Sequence, residues 1–192
     1  MEFISWLDSY LMPSKRRTDI SPTAQTIVLE DSGTVIEIQK VPNSLIVLLP
    51  TKIGQWRFLK EKPKDKHKDQ YGWSARCDFM LLGESKGRYF AILLELKETL
   101  IDSKGKEQLR WSLPILHHLV SMFNIDCFSS MSEKDFIIKY FQIGQKWGPN
   151  LDKQRVKAGL RESFHYEDHM GIKINCSVDS PVTLRRLLER SA

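Results

Sequence analysis

The pattern of apolar and polar positions predicts a short helix followed by several strands in the first 50 residues. Apolar residues recur at helical spacing from Phe3 to Leu11, and Pro13 ends the pattern, which predicts an amphipathic helix covering part of the core. From residue 26 onward, the segments TIVLE, TVIEIQKV and SLIVLLP are short and β-branched, with turn residues between them. We therefore expect three consecutive strands between residues 26 and 50.

A charged loop and a hairpin are predicted next. Residues 60–72, KEKPKDKHKDQYG, alternate in charge, contain a proline and lack apolar periodicity, which predicts a solvated loop. Residues 76–82 and 89–97 are apolar segments joined by Gly-Glu-Ser-Lys-Gly, a composition typical of a β-hairpin. The run at residues 90–94 is continuously apolar, as in a strand that is buried on both faces.

Helices and strands are predicted to alternate in the rest of the chain. Apolar spacing predicts a helix over 108–123, in which Pro114 either kinks the helix or delays its start. Strands are expected at 136–143 and at 172–178, where apolar and β-branched residues are bounded by loop composition.

A basic helix is predicted to follow the last strand. Asp179 or Ser180 is expected to cap it, with Pro181 in its first turn, where proline is favoured. The order of elements predicts a single α/β domain with a mixed β-sheet core flanked by helices. We divide this domain into residues 1–24, an N-terminal helix and linker, residues 25–128, a β-rich segment, and residues 129–192, C-terminal strands and a helix.

Charge and the length of apolar runs limit the partners that we expect. Lys and Arg total 29 against 24 acidic residues, a formal charge of +5 that favours an anionic partner. The longest apolar runs are far shorter than the ~20 residues that span a bilayer, so no membrane association is expected. The first ten residues contain acids and lack the basic start of an export signal, and the three cysteines form no C-x-x-C pair. We therefore expect a cytoplasmic protein.

Two charged residues at the end of the buried strand are the strongest candidates for chemistry. Glu95 and Lys97 follow the apolar run and project together, because alternate residues of a strand share a face. Burying a carboxylate or an ammonium group is costly, so such groups are usually paired, bound to metal or placed in a cleft. Other acid-x-Lys triplets of this chain fall in turns and loops.

The hairpin register is expected to bring a second carboxylate to the same place. A two-residue turn at residues 86–87, continued outward, places Asp78 opposite Glu95, whereas other turn choices shift the register. Directly opposed residues have Cβ atoms ~5 Å apart, so the two carboxylates could share a cation. Hard oxygen ligands of this kind suit Mg²⁺ or Mn²⁺.

Asp78, a short hairpin and then Glu95-Leu96-Lys97 resemble the D-x(n)-E-x-K signature of the PD-(D/E)xK phosphodiesterase superfamily, whose fold is called restriction-endonuclease-like. The resemblance covers about a quarter of the chain. It implies metal ligation by Asp78, Glu95 and the main-chain carbonyl of Leu96, with Lys97 on the attacking water. It also implies a metal-dependent nuclease, with DNA favoured over RNA as the substrate.

This sequence departs from the family pattern in two places. Cys77 stands where the name of the family has proline, although many members also lack that proline. The family often supplies a further acid from an earlier element, for which Glu30 and Glu37 are the candidates here.

Basic and polar residues near the motif are candidates for binding nucleic acid. Arg76 lies two residues before Asp78, while Lys66 and Lys68 lie in the charged loop among acids that equally suit a purely solvated segment. Gln108 resembles a glutamine that members carry on the helix after the motif. A homodimer would match the two-fold symmetry of duplex DNA, and the other partner expectation is a larger complex, as in anti-phage defence.

Other roles remain open for the same residues. Asp78, Glu95 and Lys97 could form a cross-strand salt-bridge cluster, either in an ordinary protein or in a catalytically inactive nuclease-fold subunit that binds nucleic acid or a partner protein. His165 and His169 are four residues apart, would share a helix face, and could bind zinc with a third ligand.

Overall fold

The structure is a computed structural model. It describes residues 2–11, 16–17, 25–31, 33–50, 76–97, 103–144, 163–167, 173–177 and 181–189. The loop expected at residues 60–72, with Lys66 and Lys68, lies outside the described residues, and so does His169.

The described elements are three helices, a 3-10 turn and ten strands. The helices are α1 (Phe3–Tyr10), α2 (Ser103–Cys127) and α3 (Leu184–Glu189), and the 3-10 turn is Glu133–Asp135. The strands are β1 (Arg16–Arg17), β2 (Thr26–Asp31), β3 (Thr34–Gln39), β4 (Ile46–Leu48), β5 (Phe79–Ser85), β6 (Arg88–Lys97), β7 (Phe136–Gly144), β8 (Ser163–Glu167), β9 (Lys173–Ser177) and β10 (Val182–Thr183).

A seven-stranded mixed sheet forms the centre of the protein, in the order β1-β4-β5-β6-β7-β9-β8. From β1 to β6 in this order, neighbouring strands are antiparallel. Strand β7 is parallel to β6. A parallel pair requires a crossover connection, which α2 supplies between β6 and β7. The expected α/β protein with a mixed sheet and flanking helices is confirmed.

The two faces of this sheet are covered differently. One face packs on α1 and α2, with side chains such as Phe3, Leu93 and Leu116 in a shared apolar cluster. The other face packs on a small sheet of order β10-β3-β2, through residues such as Ile36 and Leu94. Both faces of β6 are therefore buried, as its continuous apolar run predicts.

The hairpin β5–β6 has the expected register. Its turn uses Lys86 at φ 53° and Gly87 at φ 71°, positive values that suit a tight two-residue hairpin turn. Ser85 pairs with Arg88, and the ladder continues outward to the pair of Phe79 and Leu94.

The predicted ends of two helices need correction. Helix α2 begins at Ser103 and runs through the exposed Pro114, so a start delayed by that proline is wrong. Helix α3 begins at Leu184, so Pro181 is not in its first turn. The intervening residues Val182 and Thr183 pair instead with β3, and the Thr183 hydroxyl accepts the Arg186 N–H at 3.3 Å.

Two further expectations concern zinc and membranes. His165 lies in β8, so the shared helix face expected for it and His169 is wrong. Among the described helices, none is long and apolar enough to cross a membrane.

Candidate active site

The candidate site lies where β6 extends beyond its antiparallel partner. The β5–β6 ladder ends at the pair of Phe79 and Leu94, so Glu95, Leu96 and Lys97 continue past it. On each strand, alternate residues such as Met80 and Leu93 face α1 and α2. By the same alternation, Asp78, Glu95 and Lys97 belong to this helix-covered face of the sheet.

The two carboxylates meet at the end of this ladder. Asp78 accepts the main-chain N–H of Leu96 through Oδ2 at 2.7 Å. Glu95 is 1% exposed, and its Oε1 forms an ion pair with Lys97 Nζ at 2.5 Å. The other carboxylate oxygen of Glu95, Oε2, is buried and has no hydrogen-bond partner among the residues that the structure describes. One oxygen of Glu95 is thus held by the lysine while the other is left without a donor.

Helix α2 holds the Lys97 side chain through Gln108. Lys97 Nζ donates to Oε1 of Gln108 at 3.1 Å, and Nε2 of Gln108 donates to the main-chain carbonyl of Arg76 at 3.0 Å. One turn further along, the Ser112 hydroxyl donates to the Gln108 carbonyl and accepts the N–H of Cys77, each at 2.7 Å. The helix therefore joins the approach to β5 and the end of β6.

Cys77 occupies the position before Asp78 as a core residue. It is fully buried, and its thiol donates to the main-chain carbonyl of Phe79 at 3.3 Å. Burial raises the pKa of the Cys77 thiol, which keeps it protonated and unreactive.

Burial and nearby negative charge raise the pKa of both carboxylates. Burial, followed by the charge of Asp78, raises the pKa of Glu95 to about 8, and these effects outweigh the ion pair with Lys97. Burial also raises the pKa of Asp78 to about 6, against the opposing hydrogen bond from Leu96. Asp31 adds a further negative charge that raises the pKa of both groups.

In metal-free protein, we expect the free energy of unfolding to fall as the pH rises from about 4.5 to about 8. The folded state then holds a proton on Glu95 that the unfolded chain releases at lower pH, so stability is greatest below the unfolded pKa. The loss is on the order of a few kcal/mol. Urea unfolding in EDTA at several pH values measures this loss. The decrease in the free energy of unfolding that Glu95 causes between these pH values should be absent in Glu95→Gln. An equal decrease in that variant would contradict the assignment.

Asp31 is an acid near the site that the sequence analysis did not select. It ends β2 and follows Ile27 and Leu29 on the inward face of that strand. The candidates Glu30 and Glu37 are wrong, because they lie on the outward face of the small sheet, where Glu37 bonds Gln39. The signal was the period-two alternation itself, which assigns Asp31 to the buried face.

Gln142 is the second residue that the sequence analysis missed. It pairs with Glu95 in the β6–β7 register and is fully buried. No motif or spacing in the sequence marks this residue, since the parallel pairing of β6 and β7 depends on the crossover through α2.

The contacts to nucleic acid expected of Arg76 and Gln108 stay predictions. Arg76 is half-buried, burial lowers the pKa of its guanidinium, and its main-chain carbonyl accepts a hydrogen bond from Gln108. Both ends of the Gln108 amide are engaged within the protein. A contact from Gln108 to nucleic acid stays a prediction, and it would require one of these bonds to break.

The donor atoms of this site suit a hard divalent cation. Within the described parts of the chain, no group of three or more His, Cys, Asp or Glu side chains could hold a metal ion. A site would therefore use Asp78, Glu95 and a main-chain oxygen. The N–H and carbonyl of one strand residue point to the same side, so the Leu96 carbonyl faces the side of Asp78. The unpartnered Oε2 of Glu95 is the atom that a cation would satisfy.

Comparison with known proteins adds no assignment. No protein-family model matches the chain, and neither the curated proteins nor the solved structures include a significant match.

Proposed function

We propose that this protein is a metal-dependent nuclease that hydrolyses DNA phosphodiester bonds at Asp78, Glu95 and Lys97. The observation that supports it most is the pair of carboxylates beside a lysine, with a buried oxygen of Glu95 for which the described part of the chain supplies no hydrogen-bond donor. Burying such a group is costly without a partner, and a bound cation is the partner that fits two acidic neighbours. A restriction-endonuclease-like fold is part of this proposal, and the mixed sheet with the α2 crossover supports it.

Asp78, Glu95 and the carbonyl of Leu96 would hold Mg²⁺ or Mn²⁺. When bound, the cation would polarise the scissile phosphate and lower the pKa of a coordinated water. The two carboxylates supply hard oxygen donors on one face of the hairpin, and α2 and the sheet exclude bulk water from Glu95.

Lys97 would act on the attacking water and the developing charge. Its Nζ is held between Glu95 and Gln108, and the side chain is 21% exposed, so it can reach a substrate at the rim of the site. An ammonium group there donates hydrogen bonds to the water and to the phosphoryl oxygens as their charge increases. The Gln108 bond limits the positions that Nζ can adopt, which favours a reactive geometry.

DNA is the substrate that we favour, and charge supports a polyanion in general. The chain carries a formal charge of +5, and the half-buried Arg76, two residues before Asp78 in the sequence, could bind a backbone phosphate. Cleavage of both strands of a duplex would be served by a homodimer, since the two scissile bonds are related by two-fold symmetry.

The test is cleavage of plasmid, linear duplex, single-stranded DNA and RNA, each with Mg²⁺, Mn²⁺ or EDTA. We expect metal-dependent cleavage of DNA by the wild type and its loss in Asp78→Asn, because asparagine still accepts the Leu96 N–H but carries no charge. Asp8→Asn, at an exposed position of α1, is the matched control and should cleave normally.

One observation favours a second function, that of a catalytically inactive nuclease-fold subunit. The ion pair between Glu95 and Lys97 already satisfies the lysine and one oxygen of the glutamate. Such an ion pair could have a purely structural role, linking Glu95 and Lys97 without catalysis, in a protein that binds nucleic acid or a partner protein. That function predicts nucleic-acid binding that is equal in Mn²⁺ and in EDTA, with no cleavage of any substrate.

A further inference from the structure

The tip of the β2–β3 hairpin lies against the end of β6. Thr34, the first residue of β3, is 0% exposed. Its hydroxyl donates a hydrogen bond of 2.6 Å to the main-chain carbonyl of Lys97. This bond joins the small sheet to the large sheet at the residue whose side chain contacts Glu95.

Packing alone does not explain a threonine at this position. The inward face of β3 continues from Thr34 to Ile36 and Ile38, which are buried apolar residues. Valine would match the shape of threonine there, and a buried hydroxyl is costly unless it is hydrogen-bonded. The bond to Lys97 is therefore the feature that accounts for the hydroxyl.

The Thr34 bond adds to the pairing that holds the end of β6. Lys97 pairs with Gly144 of β7, but among the described residues the ladder with β5 stops at Leu94, so the end of β6 has a strand neighbour on one side only. Asp31 pairs with Thr34 across the hairpin turn, so the same contact also keeps that acid near the two carboxylates.

We propose that Thr34 is a positioning residue for Lys97. Its hydrogen bond fixes the main chain from which Nζ reaches Glu95 and Gln108. The consequence for catalysis rests on the proposed nuclease function, whereas the consequence for the geometry of Lys97 does not.

The experiment compares Thr34→Val, which removes the hydroxyl, with Thr34→Ser, which keeps it. Ile36→Val is the matched control, since it removes a buried methyl group from the same face of β3 and keeps the Thr34 hydroxyl that bonds Lys97. The first measurement is the rate at which Lys97 in metal-free protein reacts with an amine-acylating reagent, read by mass spectrometry. We expect an increase of about fivefold in Thr34→Val, the effect of losing one ordinary hydrogen bond, and no change in Thr34→Ser or Ile36→Val.

The second measurement is cleavage at saturating Mn²⁺. We expect kcat to fall about tenfold in Thr34→Val with KM within about twofold, and Thr34→Ser to restore it. Equal Lys97 labelling in Thr34→Val and Ile36→Val would overturn the proposal, even with a lower kcat. If the wild type cleaves nothing, the nuclease function fails, while the labelling still decides the role of Thr34. Should Thr34→Val not fold, Thr34→Ala removes the same hydroxyl for the same comparison.

Discussion

Replacing Glu95 with glutamine is expected to abolish metal-dependent cleavage while the protein becomes more stable in EDTA above pH 8. Activity should fall by about a thousandfold or more, equivalent to about 4 kcal/mol of transition-state stabilisation, because the amide is a poor ligand for Mg²⁺ or Mn²⁺. Stability should rise because the variant removes a carboxylate whose pKa burial raises to about 8. Cleavage assays and urea unfolding, made on the same preparations, measure the two effects.

The matched control for this prediction is Glu84→Gln. Glu84 lies in the same hairpin, but it is exposed near the turn. It should change neither cleavage nor unfolding, since exposed charges contribute little to stability. Cleavage by Glu95→Gln at the wild-type rate would exclude Glu95 as a metal ligand. A loss of stability with the loss of activity would indicate that the ion pair with Lys97 is mainly structural.

Replacing Lys97 with methionine is expected to lower kcat by about a hundred- to a thousandfold, the usual effect of removing one donor that stabilises transition-state charge. Methionine keeps the length of the side chain but removes the ammonium group that Glu95 and Gln108 hold. The affinity for Mn²⁺, measured by calorimetry, should change much less than kcat, because the proposed ligands remain. Single-turnover cleavage at saturating metal separates these two quantities.

Lys86→Met is the control for Lys97→Met. Lys86 is exposed in the hairpin turn, at the opposite end of β6 from the candidate site. Its replacement removes the same charge from the chain, so an equal loss of cleavage in both variants would point to a general effect of charge on nucleic-acid binding. A loss confined to Lys97→Met would assign the chemistry to that residue.

The sequence predicted the carboxylate pair because the information lies in one short segment. The turn at Lys86 and Gly87 sets the hairpin register, and that register, with alternation along the strand, brings Asp78 and Glu95 to one face. These are local rules, and they do not depend on the rest of the fold.

Other parts of the candidate site could not be predicted in this way. Thr34 and Asp31 reach the site only because the small sheet packs on the large one. Gln142 reaches it through the parallel pairing of β6 and β7. In each case the contact is formed between elements distant in sequence. Spacing within one strand shows which face a residue such as Asp31 lies on, but not which element packs against that face. The start of α3 was predicted too early for the same reason: Val182 pairs with Ile38 of β3, so the helix begins only at Leu184.

The unequal lengths of β5 and β6 also affect how this protein avoids wrong pairing. Where a strand extends beyond its neighbour, its free N–H and carbonyl groups can recruit a strand from another molecule. Here the Leu96 N–H is not available to another strand, because it donates to the Asp78 carboxylate. An incoming strand would have to displace a carboxylate and bring its own carbonyl oxygens toward a cluster of acids. A residue proposed to bind a cation thus also occupies a main-chain group that a foreign strand would need for pairing.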